Sequence, residues 1–91
     1  MVSRFVFRRW TANEFKAALA DARMTINDFM FVTGRHSEGV SRYLDPNRDD
    51  APTLSEMVLL KLAAKDDATR AEIIEIADAQ MVDMGHRKDR R

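Results

Sequence analysis

Apolar residues recur with helical spacing along most of the chain. Two short segments carry them at intervals of three and four, as an amphipathic helix requires. These residues are Phe15, Ala18, Leu19 and Ala22 in the first stripe and Val40, Tyr43 and Leu44 in a later one. The segment LSEMVLLKLAA (54–64) is apolar nearly all round, interrupted by Glu56 and Lys61. We therefore expect a central helix there, packed on more than one side.

Helix start signals recur four times. In each, a threonine is followed three residues later by an acidic residue, the arrangement of a capping box in which side chain and backbone cap each other. The pairs are Thr11 with Glu14, Thr25 with Asp28, Thr53 with Glu56, and Thr69 with Glu72. This density of starts predicts a helical protein.

Helix stop signals agree with the starts. Gly34 can adopt the left-handed conformation that ends a helix, Pro46 places a turn in DPNRDD, and Gly85 ends the last helix. The predicted elements are an N-terminal arm 1–10, helices 12–23, 25–33, 37–44, 53–64 and 68–84, a loop 45–52 and a basic tail 85–91. The fold class is therefore all-α, a small five-helix bundle over residues 11–84.

Size and composition restrict the class of protein. Ninety-one residues with 45% hydrophobic content make one small domain. The absence of cysteine excludes disulfides and thiolate metal sites. No apolar run has the length of a signal peptide or a bilayer span, so we expect a soluble, cytoplasmic protein without a membrane partner.

Charge is unevenly distributed although the net charge is zero. Residues 1–48 carry eight Lys and Arg against five Asp and Glu, a balance of +3. Residues 49–84 carry three against nine, a balance of −6, and residues 85–91 carry four against one, a balance of +3. The chain can therefore present a basic face at one end and an acidic face at the other.

The second and third predicted helices are separated by only two or three residues. So short a turn predicts a steep crossing, as in a helix-turn-helix. The segment MTINDFMFVTGRHSEGVSRYL (24–44) resembles the helix-turn-helix of the Cro/CI-like family of phage and bacterial regulators, also called xenobiotic-response-element or lambda-repressor-like. The matching positions, in register, are Met24, Thr25, Phe29, Gly34, Val40, Ser41 and Tyr43. The resemblance extends over residues 10–65.

The resemblance implies a five-helix DNA-binding domain that acts as a homodimer and places its third helix in the major groove. Base-reading positions would be the exposed residues of that helix, Ser37, Glu38, Ser41 and Arg42. The start of helix two near Thr25 would offer backbone N–H groups to a phosphate. Arg35 and Arg48 flank the helix and are candidates for backbone phosphates, and His36 is a candidate for capping or a phosphate contact.

Three residues depart from the family pattern. Ile26 replaces a glutamine that often contacts DNA, Met30 replaces a small residue where helices two and three cross, and Arg35 replaces a valine. Gly39 lies inside the third helix, where glycine costs about 1 kcal/mol relative to alanine. We expect the missing side chain to make room for Met30.

Several residues have more than one interpretation. Arg42 can contact guanine, grip a phosphate, or pair with Glu38 one turn away. Glu38 can accept a hydrogen bond from cytosine, or simply favour the N-terminal end of the helix dipole. The arginines of the N-terminal arm (Arg4, Arg8 and Arg9) can reach along the duplex or remain in solvent.

Apolar residues also suggest self-association. Ile26 and Phe31 are positions that a strict amphipathic helix would expose, so they can mark a partner contact. The last helix carries a stripe wider than one small domain needs, which favours a dimerisation helix at 68–84, with packing onto the domain's own core as the alternative. That stripe comprises Ile73, Ile74, Ile76, Ala77, Met81, Val82 and Met84.

The sequence favours a sequence-specific, DNA-binding transcriptional regulator, most simply a repressor. Nothing indicates an enzyme or a cofactor, and the two histidines, His36 and His86, are too far apart in sequence to suggest a metal site. One rival is a protein-binding module, such as an antitoxin or phage adaptor, that uses Ile26, Phe31 and the last helix. The other is a DNA-binding activator or packaging subunit that recruits a protein partner through the acidic C-terminal half.

Overall fold

The computed structural model describes residues 6–81, and these form five α-helices without any strand. The helices are α1 (Ala12–Ala22), α2 (Ile26–Thr33), α3 (Ser37–Leu44), α4 (Leu54–Ala63) and α5 (Asp67–Ala79). The prediction of an all-α protein with five helices is confirmed. None of these five helices has the length and apolar character needed to cross a membrane.

Three of the four predicted capping boxes are formed. At the starts of α1, α2 and α4, the threonine side chain accepts the N–H of the acidic residue, whose carboxylate accepts the threonine N–H in return. The fourth prediction is wrong, because α5 is capped by Asp66, which accepts the Thr69 N–H at 2.7 Å. Aspartate caps a helix as well as threonine does, so the cap lies three residues before the predicted Thr69 and the helix begins at Asp67, one residue before the predicted start.

The helix ends differ more from expectation than the starts. Gly34 closes α2 at φ 74°, as predicted, whereas α1 ends at Arg23, a non-glycine residue at φ 54°. Helix α5 ends at Ala79 rather than at position 84, and Met81 instead lines a cleft beside α2. An apolar period can continue past a helix end when the following residue still contacts the domain. Positions 82–84, like the basic tail, lie outside the described residues.

An aromatic cluster joins the first three helices. The Phe15 ring of α1 lies edge-on to Phe29 of α2 at 5.2 Å and to Tyr43 of α3 at 5.5 Å between ring centres. Leu60 of α4 is buried in the same core. Such aromatic contacts add about 0.5–1.5 kcal/mol each beyond the area they bury. The core therefore fixes α3 against α1 and α2.

Two expectations about surface apolar residues must be corrected or refined. Phe31 is only 7% exposed, and α2 packs against both α3 and α5, so more than one of its faces is covered. Ile26, in contrast, is 42% exposed, as predicted. Along α5, Ile73 packs against the core while Ile76 is exposed, so only part of the stripe packs onto the domain's own core.

Helix α4 has two apolar faces. It contacts both α1 and α5, as expected for a helix packed on more than one side. Its buried positions are Glu56, Leu60 and Ala63. The opposite face carries the outer stripe of α4, which we define as Leu54, Val58 and Leu62 and which is exposed to solvent.

The expectation that Gly39 makes room for the Met30 side chain is wrong. A Cβ added at Gly39 would meet only the Arg35 Cδ, at an ordinary 3.9 Å. We expect Gly39→Ala to raise the free energy of unfolding by about 0.5–1 kcal/mol, because alanine loses less backbone entropy in a helix. The measurement is urea unfolding followed by circular dichroism.

Gly34→Ala is the matched comparison for this prediction. It should destabilise the protein by about 1 kcal/mol, because a Cβ is strained at φ 74° even though space is open there. Equal effects of the two substitutions would contradict both assignments.

Candidate nucleic-acid interface

Helix α3 separates its residues cleanly between core and solvent. Val40 and Tyr43 are buried at 1% and 6% exposure. The positions expected to read bases lie on the solvent side. They are Ser37, Glu38, Ser41 and Arg42, all exposed. This face is available to a macromolecular ligand.

The turn between α2 and α3 consists of Gly34, Arg35 and His36. Thr33 stabilises its first half, because its hydroxyl donates to the Phe29 carbonyl at 2.7 Å and accepts the Arg35 N–H at 3.3 Å. His36 occupies the N-cap position of α3, but its side chain makes no capping hydrogen bond. The capping interpretation of His36 is therefore wrong, and its exposed ring is left at the start of α3.

A buried carboxylate ties this turn to the rest of the domain. Glu56, only 7% exposed, accepts the Arg35 Nε–H at 2.7 Å, the Tyr43 hydroxyl at 3.1 Å and the Thr53 N–H at 2.9 Å. The Arg35 guanidinium also lies 5.5 Å from the centre of the Tyr43 ring. We call Arg35, Tyr43, Thr53 and Glu56 the Glu56 network. It connects the turn, α3 and the start of α4.

The network shifts the pKa values of its members. Burial alone would raise the pKa of Glu56, but the hydrogen bonds from Arg35, Thr53 and Tyr43 outweigh it and lower that pKa overall. Burial and then the Glu56 charge raise the pKa of Tyr43 to about 12. At neutral pH the carboxylate is ionised and the phenol remains a donor.

The arginines that were predicted to contact DNA differ in their intramolecular partners. Arg35 belongs to the Glu56 network, and Arg48 donates to Asp50 at 2.8 Å, so both guanidinium groups have intramolecular partners. Within residues 6–81 no ion pair joins Arg42 to Glu38, so that interpretation of Arg42 is wrong. Thr25 is held in the capping box at the start of α2.

The N-terminal segment contacts the domain from Phe7 onward, whereas Val6 is 94% exposed. Arg8 makes two 2.9 Å hydrogen bonds to the Glu14 carboxylate, and that pairing, with the Thr11 N–H, lowers the pKa of Glu14 to about 2. Trp10 packs against the core beneath Lys61, whose ammonium lies 5.8 Å from the ring centre. Arg4 lies outside the described residues.

The docked segment brings Arg9 to the edge of α3. Arg9 shares a cleft of about 430 Å³ with Arg35 and Arg42, which we call the arginine cleft. Sequence reasoning placed Arg9 only in an arm of undecided position. The one sequence signal that the preceding residues would pack on the domain was Trp10, an aromatic residue directly before the first capping box.

Comparisons with protein families, with curated proteins and with solved structures find no match for this chain. The resemblance to the Cro/CI-like family stays a prediction from the sequence. Within residues 6–81 no group of three or more acidic or histidine side chains is placed to hold a metal ion.

We expect Glu56→Gln to lower the free energy of unfolding by about 2 kcal/mol at neutral pH. Hydrogen bonds to a charged group contribute about 1.5–3 kcal/mol, and water partly screens Arg35. Folding lowers the pKa of Glu56, so its contribution is complete above the unfolded pKa of about 4.3 and is lost as pH falls through the folded pKa.

Urea unfolding at neutral pH and near pH 3 measures this effect. The difference in the free energy of unfolding between wild type and Glu56→Gln should be smaller near pH 3 than at neutral pH. Asp21→Asn, at an exposed position of α1 that forms no ion pair within residues 6–81, is the control and should leave stability nearly unchanged at both pH values. A gap that stays constant with pH would contradict the ionised network.

Proposed function

We propose that this protein binds double-stranded DNA by placing α3 in the major groove, and that it regulates transcription in this way. The observation that carries the proposal is the division of α3 into a buried apolar side and an exposed polar side containing Arg42. The local resemblance of residues 24–44 to a helix-turn-helix supports the same interpretation.

The dimensions of α3 suit a groove-reading helix. Its 8 residues span about 12 Å, and the major groove is about 12 Å wide. Serine and arginine side chains can donate to base edges, and Glu38 can accept from the cytosine amine. The Glu56 network holds the start of α3 in place, so little ordering would accompany binding.

A homodimer would place two such helices in half-sites about one helical turn apart. Val58 and Leu62, the later part of the outer stripe of α4, favour an interface there that leaves Leu54 free, with Lys61 exposed beside them. The exposed residues of α5 include Glu72 and Glu75, opposite in charge. A two-fold arrangement in which α4 of one copy meets α5 of the other would bury apolar surface and bring these charges together.

A protein-binding module is the second candidate function. Exposed Ile26 and the outer stripe of α4 favour it, because both offer apolar surface to a partner. The burial of Phe31 removes one residue from the original form of this hypothesis. The two functions differ in their response to a polyanion, since only the DNA-binding protein should bind random duplex with strong salt dependence.

We expect the full chain to bind a fluorescent random-sequence duplex, measured by anisotropy, and to lose affinity as salt rises. Arg42→Ala should weaken binding about threefold at moderate salt, because it removes one cation that contacts the DNA. Lys16→Ala, at an exposed position of α1, is the control and should bind nearly as wild type. If wild type fails to bind at low salt, the DNA proposal is wrong.

For the dimer, we expect Val58→Glu to convert a dimeric wild type to monomer in sedimentation equilibrium. A buried, unpaired carboxylate would disfavour the interface by several kcal/mol. Ile76→Glu tests the alternative in which α5 alone forms the dimer interface. If Ile76→Glu disrupts the dimer and Val58→Glu does not, the outer stripe of α4 is not the interface.

A further inference from the structure

We infer that the arginine cleft is a binding site for one sugar–phosphate unit of the DNA backbone. Arg9 and Arg42 would hold this unit beside α3. This inference rests on the proposed function and assigns a role to Arg9 that the helix-turn-helix segment does not contain. It also decides between the interpretations of Arg42, in favour of phosphate rather than guanine.

Four separate segments line the cleft, and one of them is the turn before α3, which contributes Arg35. Arg9 comes from the docked N-terminal segment, Arg42 from the exposed edge of α3, and Leu54 from the first turn of α4. The Arg8–Glu14 pair and the packing of Trp10 hold the N-terminal segment on either side of Arg9. The position of Arg9 is therefore a product of the fold.

The charges of the cleft favour an anion. Arg9, Arg35 and Arg42 face it, against the single carboxylate of Asp50. Arg35 is occupied by Glu56, and Asp50 by Arg48. These two pairs roughly cancel, and what remains are two guanidinium groups, Arg9 and Arg42, that make no ion pair within residues 6–81.

The walls of the cleft favour a sugar next to that anion. Phe7 and Leu54, 42% and 50% exposed, give it apolar surface above the buried Pro52 and Tyr43. A phosphate alone would use the guanidinium groups and leave this surface wet. Deoxyribose presents C–H groups to such a wall, so the nucleic-acid backbone matches both halves of the cleft. Its position at the edge of α3 suits a strand that borders the groove.

The test compares Arg9→Gln and Arg42→Gln with Lys65→Gln, using the full chain. Lys65 is exposed in the turn after α4, and the 10 residues of that helix put about 15 Å between this turn and Leu54. Its loss changes the net charge equally. Affinity is measured by anisotropy on a random duplex and on a duplex selected from a random pool, between low and moderate salt.

A phosphate contact predicts a defined pattern. Each cleft variant should lower the affinity for both duplexes by the same factor, roughly threefold at moderate salt. It should also reduce the slope of log affinity against log salt by about 0.9. Lys65→Gln should leave the slope unchanged. Unchanged melting temperatures would confirm that the variants fold, as expected for Arg9, whose side chain makes no hydrogen bond within residues 6–81.

Three results would overturn the inference. If wild type binds duplex and Arg9→Gln keeps its affinity and slope, the cleft is not a backbone site, while the proposed function stands. If Arg42→Gln loses preference for the selected duplex but keeps the salt slope, Arg42 reads a base. If wild type binds no duplex, the proposed function fails and this inference with it.

A final experiment distinguishes binding of a DNA phosphate from binding of free inorganic phosphate. The Arg9 and Arg42 Nε–H signals are followed by NMR during titration with the duplex and, separately, with inorganic phosphate. Shifts that saturate with duplex and stay small with inorganic phosphate support the sugar–phosphate assignment. Saturation by inorganic phosphate alone would identify a free-anion site and overturn it.

Discussion

The orientation of α3 depends on one buried carboxylate. Moving a charge out of water is costly unless hydrogen bonds replace the lost solvation, and Glu56 receives them from Arg35, Tyr43 and Thr53. The three donors come from the turn, from α3 and from the start of α4. Displacing any one of these elements would leave part of a buried charge uncompensated, so the network holds all three in a single arrangement.

The aromatic cluster acts on the same helix from the other side. Tyr43 takes part in both, because its ring packs edge-on to Phe15 while its hydroxyl donates to Glu56. A residue with an apolar body and a polar tip is suited to join a core to a polar network. The exposed residues of α3 are therefore presented by a helix whose buried side is held by packing and by charge together.

Intramolecular pairing divides the arginines into two groups. Arg8, Arg23, Arg35 and Arg48 each pair with a nearby carboxylate and thereby hold a segment in place. Arg9 and Arg42 form no such pair within residues 6–81, and they face one cleft. A net charge of zero therefore says little about ligand preference, because paired charges cancel locally and unpaired ones determine the local field.

The sequence alone predicted the helices and most of their starts, because capping boxes and apolar periods are local signals that span only a few residues. It also placed Ser37, Glu38, Ser41 and Arg42 on one side of α3, since helical spacing alone separates them from Val40 and Tyr43. The folded structure was needed to show that Phe31 is buried, that Glu56 holds Arg35, and that Arg9 reaches the edge of α3. Those facts depend on contacts between residues far apart in sequence, which no local pattern encodes.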